Sequence, residues 1–289
     1  MSRIVVLGDV MVDVVARLAR PLAPGSDAPA RIAFGGGGSA GNVAAWLAAA
    51  GTRPVLVGCV GDDARGRAAA GALRAAGVDA RLVVDPERPT GTCVVLVAPG
   101  GERTMVPDAG ANDGLAGDDL PDELLARSGH LHVAGYALLR EGSRPAARAA
   151  ITRARERGMT VSVDPSSSAL LSPAFLDEAD GAGLLLPNAG EAAALTGERD
   201  PERAASLLAE RVPEAVVTLG AEGALWTDGR EVRRAPAVAA DVVDTTGAGD
   251  AFAAGLLAAR VAGSDPEGAL AAGCRLAAEA VRTLGARPG

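Results

Sequence analysis

The sequence predicts an α/β fold: a largely parallel central sheet with a small β layer at one edge. Three observations carry that prediction. Short apolar runs of strand length alternate with longer Ala/Arg/Leu segments of helical period, the texture of repeated βα units. Two stretches, 12–34 and 90–107, break the alternation with short strands separated by Pro/Gly turns. No Pro-, Gly- or Ser-rich linker divides the 289 residues, so 1–289 reads as one domain with those stretches inserted as a lid.

The elements follow in chain order. Residues 4–7, Ile-Val-Val-Leu, form an apolar run with no alternation, as a strand buried on both faces requires. Residues 55–60, 131–134, 160–163, 184–186 and 215–218 also read as buried strands. Between them, 42–50, 64–76, 145–157 and 201–210 carry apolar residues at helical spacing. The last strong helices are predicted over 248–261 and 266–284.

Composition narrows the function classes. The net charge of -8 argues against a general nucleic-acid binder, which would carry a basic stripe. It leaves a nucleotide ligand open, because backbone amides at helix N-termini bind phosphate without net positive charge. No apolar stretch approaches the roughly 20 residues of a membrane span. The N-terminal run is too short for a signal peptide. Cys59, Cys93 and Cys274 are odd in number and far apart, matching neither a disulfide framework nor a metal-ligand spacing. A cytoplasmic protein with buried thiols is the expectation.

The richest chemistry lies in Asp244-Thr245-Thr246-Gly247-Ala248-Gly249-Asp250, which runs directly into a helix. Small residues at Gly247, Ala248 and Gly249 let backbone N–H groups converge at the helix start. Such an anion hole meets the charge that grows on a transferring phosphoryl group. Asp250, in the first turn beside it, is placed to accept the proton of an attacking hydroxyl. Phosphoryl transfer needs little more than an in-line oxygen, charge neutralisation and a base. Asp and Thr before a helix also serve as ordinary N-caps.

Residues 244–257 resemble the C-terminal signature of the ribokinase-like (PfkB) carbohydrate kinases. The resemblance implies a three-layer sandwich with helices on both faces of the mostly parallel sheet, and a small β-sheet lid. It also implies that Asp250 is the catalytic base, that Gly247, Ala248 and Gly249 form the anion hole, and that Asp244 and Thr246 lie near a monovalent-cation site, occupied by K+ in some members.

Upstream segments strengthen it. Gly36-Gly37-Gly38-Ser39-Ala40-Gly41-Asn42 is similar to the family's sugar-binding Gly-Gly-x-x-x-Asn segment, with Gly37, Gly38 and Asn42 as matches. Glycines there let backbone approach a polar ligand, and Asn42 both donates and accepts hydrogen bonds. Ser39 stands where members closest to ribokinase carry Lys, which counts against ribose itself. Asp13, just beyond the first strand, can grip two adjacent hydroxyls as a double acceptor. Pro187-Asn188-Ala189-Gly190-Glu191 resembles the family's Asn-x-x-Glu element, in which Glu191 organises Mg2+ through water; it also fits a capping box. Thr218-Leu219-Gly220-Ala221-Glu222-Gly223 resembles the nucleotide loop, with Thr218, Gly220 and Gly223 against ATP, and equally reads as a tight strand-to-strand turn.

The implied activity is ATP-dependent phosphorylation of a hydroxyl on a small sugar, with ATP and Mg2+ as partners in the reaction. Lid residues Phe34, Cys93, Arg103 and Met105 could roof the pocket, with Tyr136 near it. One Tyr, two Trp and three Phe give little material for a purine clamp, which counts against a nucleoside acceptor. Only Arg103 and Arg140 offer themselves to a phosphorylated or acidic sugar, so a neutral sugar is the reading. A nucleoside kinase and a sugar-binding regulatory protein without turnover stand as alternatives. A dinucleotide oxidoreductase fails on order, because the glycine cluster follows the lid stretch rather than the first strand. Val/Ala-rich lid strands offer an edge that a second copy of the chain could cover, making a homodimer.

Overall fold

The fold is described from a computed structural model, which describes residues 3–100, 102–126 and 128–289. Met1, Ser2 and Gly101 of the stretches read above lie outside the described residues. Among the described residues, thirteen strands form two sheets. The large sheet contains β1 (Arg3–Leu7), β4 (Val55–Gly61), β5 (Asp79–Asp85), β8 (Ser128–Ala134), β9 (Thr160–Asp164), β10 (Leu184–Leu185), β11 (Glu214–Thr218), β12 (Ala224–Thr227) and β13 (Val232–Ala235). Its order is β13-β12-β11-β10-β9-β8-β1-β4-β5, parallel except for the β12 and β13 edge. The small sheet has the order β3-β2-β6-β7, from β2 (Met11–Leu18), β3 (Ala30–Gly37), β6 (Thr92–Val97) and β7 (Arg103–Asp108).

The unalternating apolar runs have a clear consequence. Successive side chains of a strand point to opposite faces, so Val5 and Leu7 enter one hydrophobic core while Ile4 and Val6 enter another. The first core packs against the helices Arg144–Glu156, Ala189–Thr196 and Pro201–Ala209. The second packs against Ser39–Ala49, Ala64–Ala75, Ala248–Val261 and Pro266–Ala280. This is the three-layer sandwich. Each fully buried Val or Leu contributes roughly 1.5–3 kcal/mol. Asp63, Asp200 and Asp265 cap three of the helices by accepting first-turn backbone amides.

Several elements differ from the sequence reading. The helix predicted to start at residue 42 starts at Ser39, so Asn42 lies inside its first turn. The last helix ends at Ala280 rather than 284, and Val281 O instead accepts the amides of Val243 and Asp244. Strand β5 was not predicted: its Asp-Ala-Arg-Leu-Val-Val-Asp sequence mixes charge with apolar residues, as suits the exposed edge it forms.

Candidate active site

The carboxyl ends of the parallel strands face one cavity of about 280 Å³. Asp9 follows β1, Tyr136 follows β8, Asp164 ends β9, Asn188 follows β10 and Thr218 ends β11; all five line it. The helix starts at Ser39 and Ala248 close it from one side, and Asp13, Cys93 and Met105 of the small sheet close it from another.

Asp250 is the centre of the polar network. Ser39 Oγ donates to its Oδ1 at 2.8 Å, and Asn42 Nδ2 donates to its Oδ2 at 2.9 Å. Burial pushes its carboxyl up to about 7, against the pull of those two hydrogen bonds and of Arg287. A carboxylate that titrates near neutrality is matched to general-base work. Gly247, the N-cap, has φ 76, and a Cβ there would meet Ala286 O at 2.5 Å, so only glycine fits. Helix starts leave their first amides without intrahelical acceptors, and at this one Gly247 and Gly249 line the cavity beside Asp250.

The floor opposite is also acidic. Asp13 packs against Gly37, and burial pushes its carboxyl up to about 6 against the pull of Arg287. Gly38 has φ 85, which lets the chain turn into the helix and brings Gly41 N within 3.2 Å of Asp9 O. On the far side, Asn188 and Glu191 form the reciprocal capping box: Asn188 N donates to Glu191 Oε2 at 2.9 Å, and Glu191 N to Asn188 Oδ1 at 2.9 Å. Glu191 is 5% exposed, and burial raises its carboxyl. Asp164 is raised as well, by burial and by the charges of Glu191 and Asp250.

The donor set fits Mg2+ held through water. No cluster of three or more metal-ligating side chains occurs among the described residues. Glu191 and Asp164 offer raised, partly spare carboxyl oxygens on the cavity, and Mg2+ characteristically keeps waters and takes one or two carboxylates plus phosphate oxygens. Asp244 and Thr246, expected near a monovalent cation, are differently placed. Asp244 Oδ1 accepts from Thr246 N at 3.0 Å and Thr246 Oγ1 at 2.7 Å, and its Oδ2 accepts from Gly285 N at 3.1 Å. Arg103 of β7 reaches across from the small sheet to Asp244 Oδ1 at 3.2 Å and to the hydroxyls of Thr245 and Thr246. Burial alone would raise the Asp244 carboxyl; these hydrogen bonds and the Arg103 charge outweigh it and hold the group low.

Most residues singled out from sequence therefore meet in one place. Asp13, Gly38, Asn42, Asn188, Glu191, Thr218, Thr246, Gly247, Gly249 and Asp250 line the cavity, as do Cys93, Met105, Tyr136 and Arg140. Gly37, Ala248 and Asp244 are not lining residues: Gly37 and Ala248 are chain neighbours of lining glycines, and Asp244 is hydrogen-bonded to Thr246. Gly220 and Gly223 belong to the turn between β11 and β12, where a Cβ on Gly223 would collide with Ala235 O. Phe34 is 70% exposed on the outer face of the small sheet and does not roof the cavity. Sequence reasoning missed Asp9, Ser39 as a donor to the base, Asp164 and Arg287. An Asp at the carboxyl end of a parallel strand was a usable signal for Asp9 and Asp164.

A profile of the pfkB family carbohydrate kinases matches residues 1–289. The chain belongs to that family. As a family member it is a phosphotransferase with a hydroxyl acceptor. This PfkB chain is 34% identical over 273 residues to the ATP-dependent ribose-1-phosphate kinase of Halopiger xanaduensis, covering 93% of this chain and 88% of the relative. It is 34% identical over 246 residues to the 2-dehydro-3-deoxygluconokinase of Thermoproteus tenax, covering 81% and 75%. Among solved structures, adenosine kinase from Sinorhizobium meliloti superposes with a TM-score of 0.89 at 31% identity, covering 99% of this chain and 96% of the other. Ribokinase II from E. coli, solved with ATP and Mg2+, gives 0.87 at 26% identity, covering 99% and 94%.

Proposed function

We propose that this PfkB kinase transfers the γ-phosphoryl group of ATP to a hydroxyl of a small neutral sugar, in the cytoplasm, with Asp250 as general base. The observation that carries the reading is Asp250 itself: a carboxyl titrating near 7, held by Ser39 and Asn42, beside the Gly247–Gly249 helix start and across one cavity from Asp13. Neutrality of the acceptor follows from the floor. Asp9, Asp13 and Asp250 would repel an anionic group brought close to the base, while Arg140 lies over the Tyr136 ring at 5.4 Å.

In the proposed cycle Asp13 and Asn42 orient the sugar, and Asp250 takes the proton from the attacking hydroxyl. The first-turn amides at Gly247, Ala248 and Gly249 stabilise the charge on the transferring group. Asn188, Glu191 and Thr218 lie where nucleotide and metal would be held, and bound Mg2+ would supply charge neutralisation of the phosphates. The small sheet acts as a lid that excludes water, with Arg103 joining it to the Asp244–Thr246 segment. A monovalent ion would compete with Arg103 for those oxygens; an unchanged rate when choline replaces potassium leaves Arg103 as the cation there.

ADP release measured over pentoses, hexoses, sugar phosphates, sugar acids and nucleosides tests the reading. A Mg2+-dependent response to a neutral sugar supports it, and a response confined to a phosphorylated or acidic acceptor removes the neutral-sugar assignment. The likeness to the Sinorhizobium meliloti adenosine kinase makes a nucleoside the second acceptor class to test.

We also infer a homodimer through the lid. Phe34, Val14, Val94 and Val106 pair across all four small-sheet strands and form an apolar row on the face away from the cavity. Phe34 and Val106 are 70% and 55% exposed. Sedimentation should give a dimer for wild type and a monomer for Phe34→Asp; a monomeric wild type overturns this.

A further inference from the structure

The C-terminal residues deliver a cation to the back of the base. Trp46 Nε1 donates to Ala286 O at 2.9 Å, and Gly285 N donates to Asp244 Oδ2, so 285–286 are pinned to both the sugar-floor helix and the anion-hole segment. Arg287 is thereby fed beneath the glycine loop. Its Nη2 donates to Gly37 O at 2.7 Å and its Nε donates to Asn42 Oδ1 at 3.1 Å. The guanidinium fills the space that side chains at positions 36 and 41 would need: a Cβ on Gly41 would lie 2.5 Å from Nη2. The glycines of this loop thus make room for Arg287 as well as for a ligand.

Resting on the kinase reading above, we propose that Arg287 is a positioning residue, fixing the Asn42 amide so that its nitrogen donates to the Asp250 carboxylate. An Asn amide presents an acceptor at one end and donors at the other. With Arg287 on the oxygen and Asp250 on the nitrogen, both contacts are complementary; flipping the amide would set oxygen against carboxylate and NH2 against guanidinium. The chain Arg287–Asn42–Asp250 therefore has one favourable orientation, ordered by a charge at each end. The charged and titratable groups facing Asp250 are Asp9 after β1, Tyr136 after β8, Asp164 at the end of β9, and Arg287. Arg287 is the cation among them, and it also faces Asp13 and Asp9.

Titration of Asp250 by NMR in protein labelled with 13C-carboxyl Asp tests this without an acceptor, the resonance being assigned by its loss in Asp250→Asn. In Arg287→Ala the midpoint should rise by about one pH unit, the low end of what an adjacent opposite charge supplies. Arg287→Lys keeps the charge but not the fork, and should rise by less. Gly41→Ala, which displaces the guanidinium without changing it, should rise in the same direction and decides the matter if Arg287→Ala does not fold. An unmoved midpoint in the folded variants overturns the proposal. With an active acceptor in hand, the same shift lowers kcat of Arg287→Ala about tenfold at pH 6 and by less than about twofold at pH 8.5. A loss uniform in pH, with a lower Tm, would mark a purely structural role and overturn it too. A wild type that turns over no acceptor sinks the kinase reading, while the NMR midpoints still decide Arg287.

Discussion

The two ends of the large sheet are built from the same strands and treat buried polar groups in opposite ways. At the amino ends, polar side chains close on one another, save His132 Nε2, which is buried without a partner. His130 sits between Thr160 Oγ1 at 2.7 Å and Ser162 Oγ at 2.8 Å, and His132 Nδ1 meets the same Ser162 hydroxyl at 2.8 Å. Two arginines of the adjoining cavity are paired as well, Arg260 with Glu214 and Arg211 with Asp177. At the carboxyl ends Asp13, Asp164, Glu191 and Asp250 are all raised by burial. The amino-end cavity is the larger, about 680 Å³ against about 280 Å³. Volume alone would choose the wrong end. Charge that folding has desolvated without neutralising identifies the site, because only a ligand completes it.

The largest expected effect breaks that asymmetry at its centre. Asp250→Asn should lower kcat by on the order of 10²–10⁴-fold, the range for loss of a general base, with nucleotide binding retained in a calorimetric titration. At pH 8 it should also raise Tm, because a buried charge is removed. A variant that is near-normal in rate sinks the mechanism; one that is less stable shows that the carboxylate supports the fold instead of straining it.

The pH dependence of stability separates the two ends next. Asp250 at about 7 and Asp13 at about 6 have folded values above the usual carboxylate range near 3.9. Their contribution is fully present below the unfolded value and is lost as pH rises through 6 to 7. The histidines run the other way. Burial depresses His130 to about 3 and His132 to about 4, so their contribution is present above about 6.5 and is lost as pH falls toward those values. Each group changes stability by at most about 1.4 kcal/mol per pH unit within its window. The two windows overlap between about pH 4 and 6.5, so they oppose each other in wild type and are separated by variants. In denaturant midpoints, the advantage of Asp250→Asn over wild type should shrink as pH falls from about 7 toward 4, and that of His132→Phe should grow as pH falls from about 6.5 toward 4. A difference from wild type that does not change with pH in its window contradicts the assignment of that end.

How much of this was readable beforehand depended on how local the cause is. Residues 4–7 and 55–60 announce buried strands because the apolar run is itself the physical requirement. Gly247 and Gly38 announced special backbone, and both have positive φ. The Asp250 partnership was less readable. Ser39 and Asn42 lie 211 and 208 residues away from it in sequence, and no spacing rule reaches that far. Ser39 departs from the family resemblance, yet nothing local shows that its hydroxyl meets the base. Arg287 lay furthest beyond reach, because its partners Gly37 and Asn42 are brought to it only after 281–286 leave the last helix and pin themselves to Asp244 and Trp46. Phe34 failed for another reason: period-2 placement puts it opposite Val14 on the outer face, while neighbouring Asp13 takes the inner one.

The smallest effect lies at the end that asks for no ligand. Glu214 Oε1 and Oε2 accept from Arg260 Nη2 at 2.6 and 2.9 Å, and Oε2 also accepts from Trp226 Nε1. The pair is only partly buried, with side chains 25% and 31% exposed, so solvent screening limits it to about 1 kcal/mol. Glu214→Gln keeps the shape and one acceptor while removing the charge. It should lower Tm by at most about 2 °C in a chain of this size and leave kcat and both KM values unchanged. The contrast with Asp250→Asn is the point: neutralising one carboxylate costs function and relieves the fold, and neutralising the other costs the fold and spares function. If Glu214→Gln instead altered kcat by more than about twofold, the amino-end cavity would be coupled to the chemistry, and satisfaction of its polar groups could no longer be read as the mark of a purely structural end.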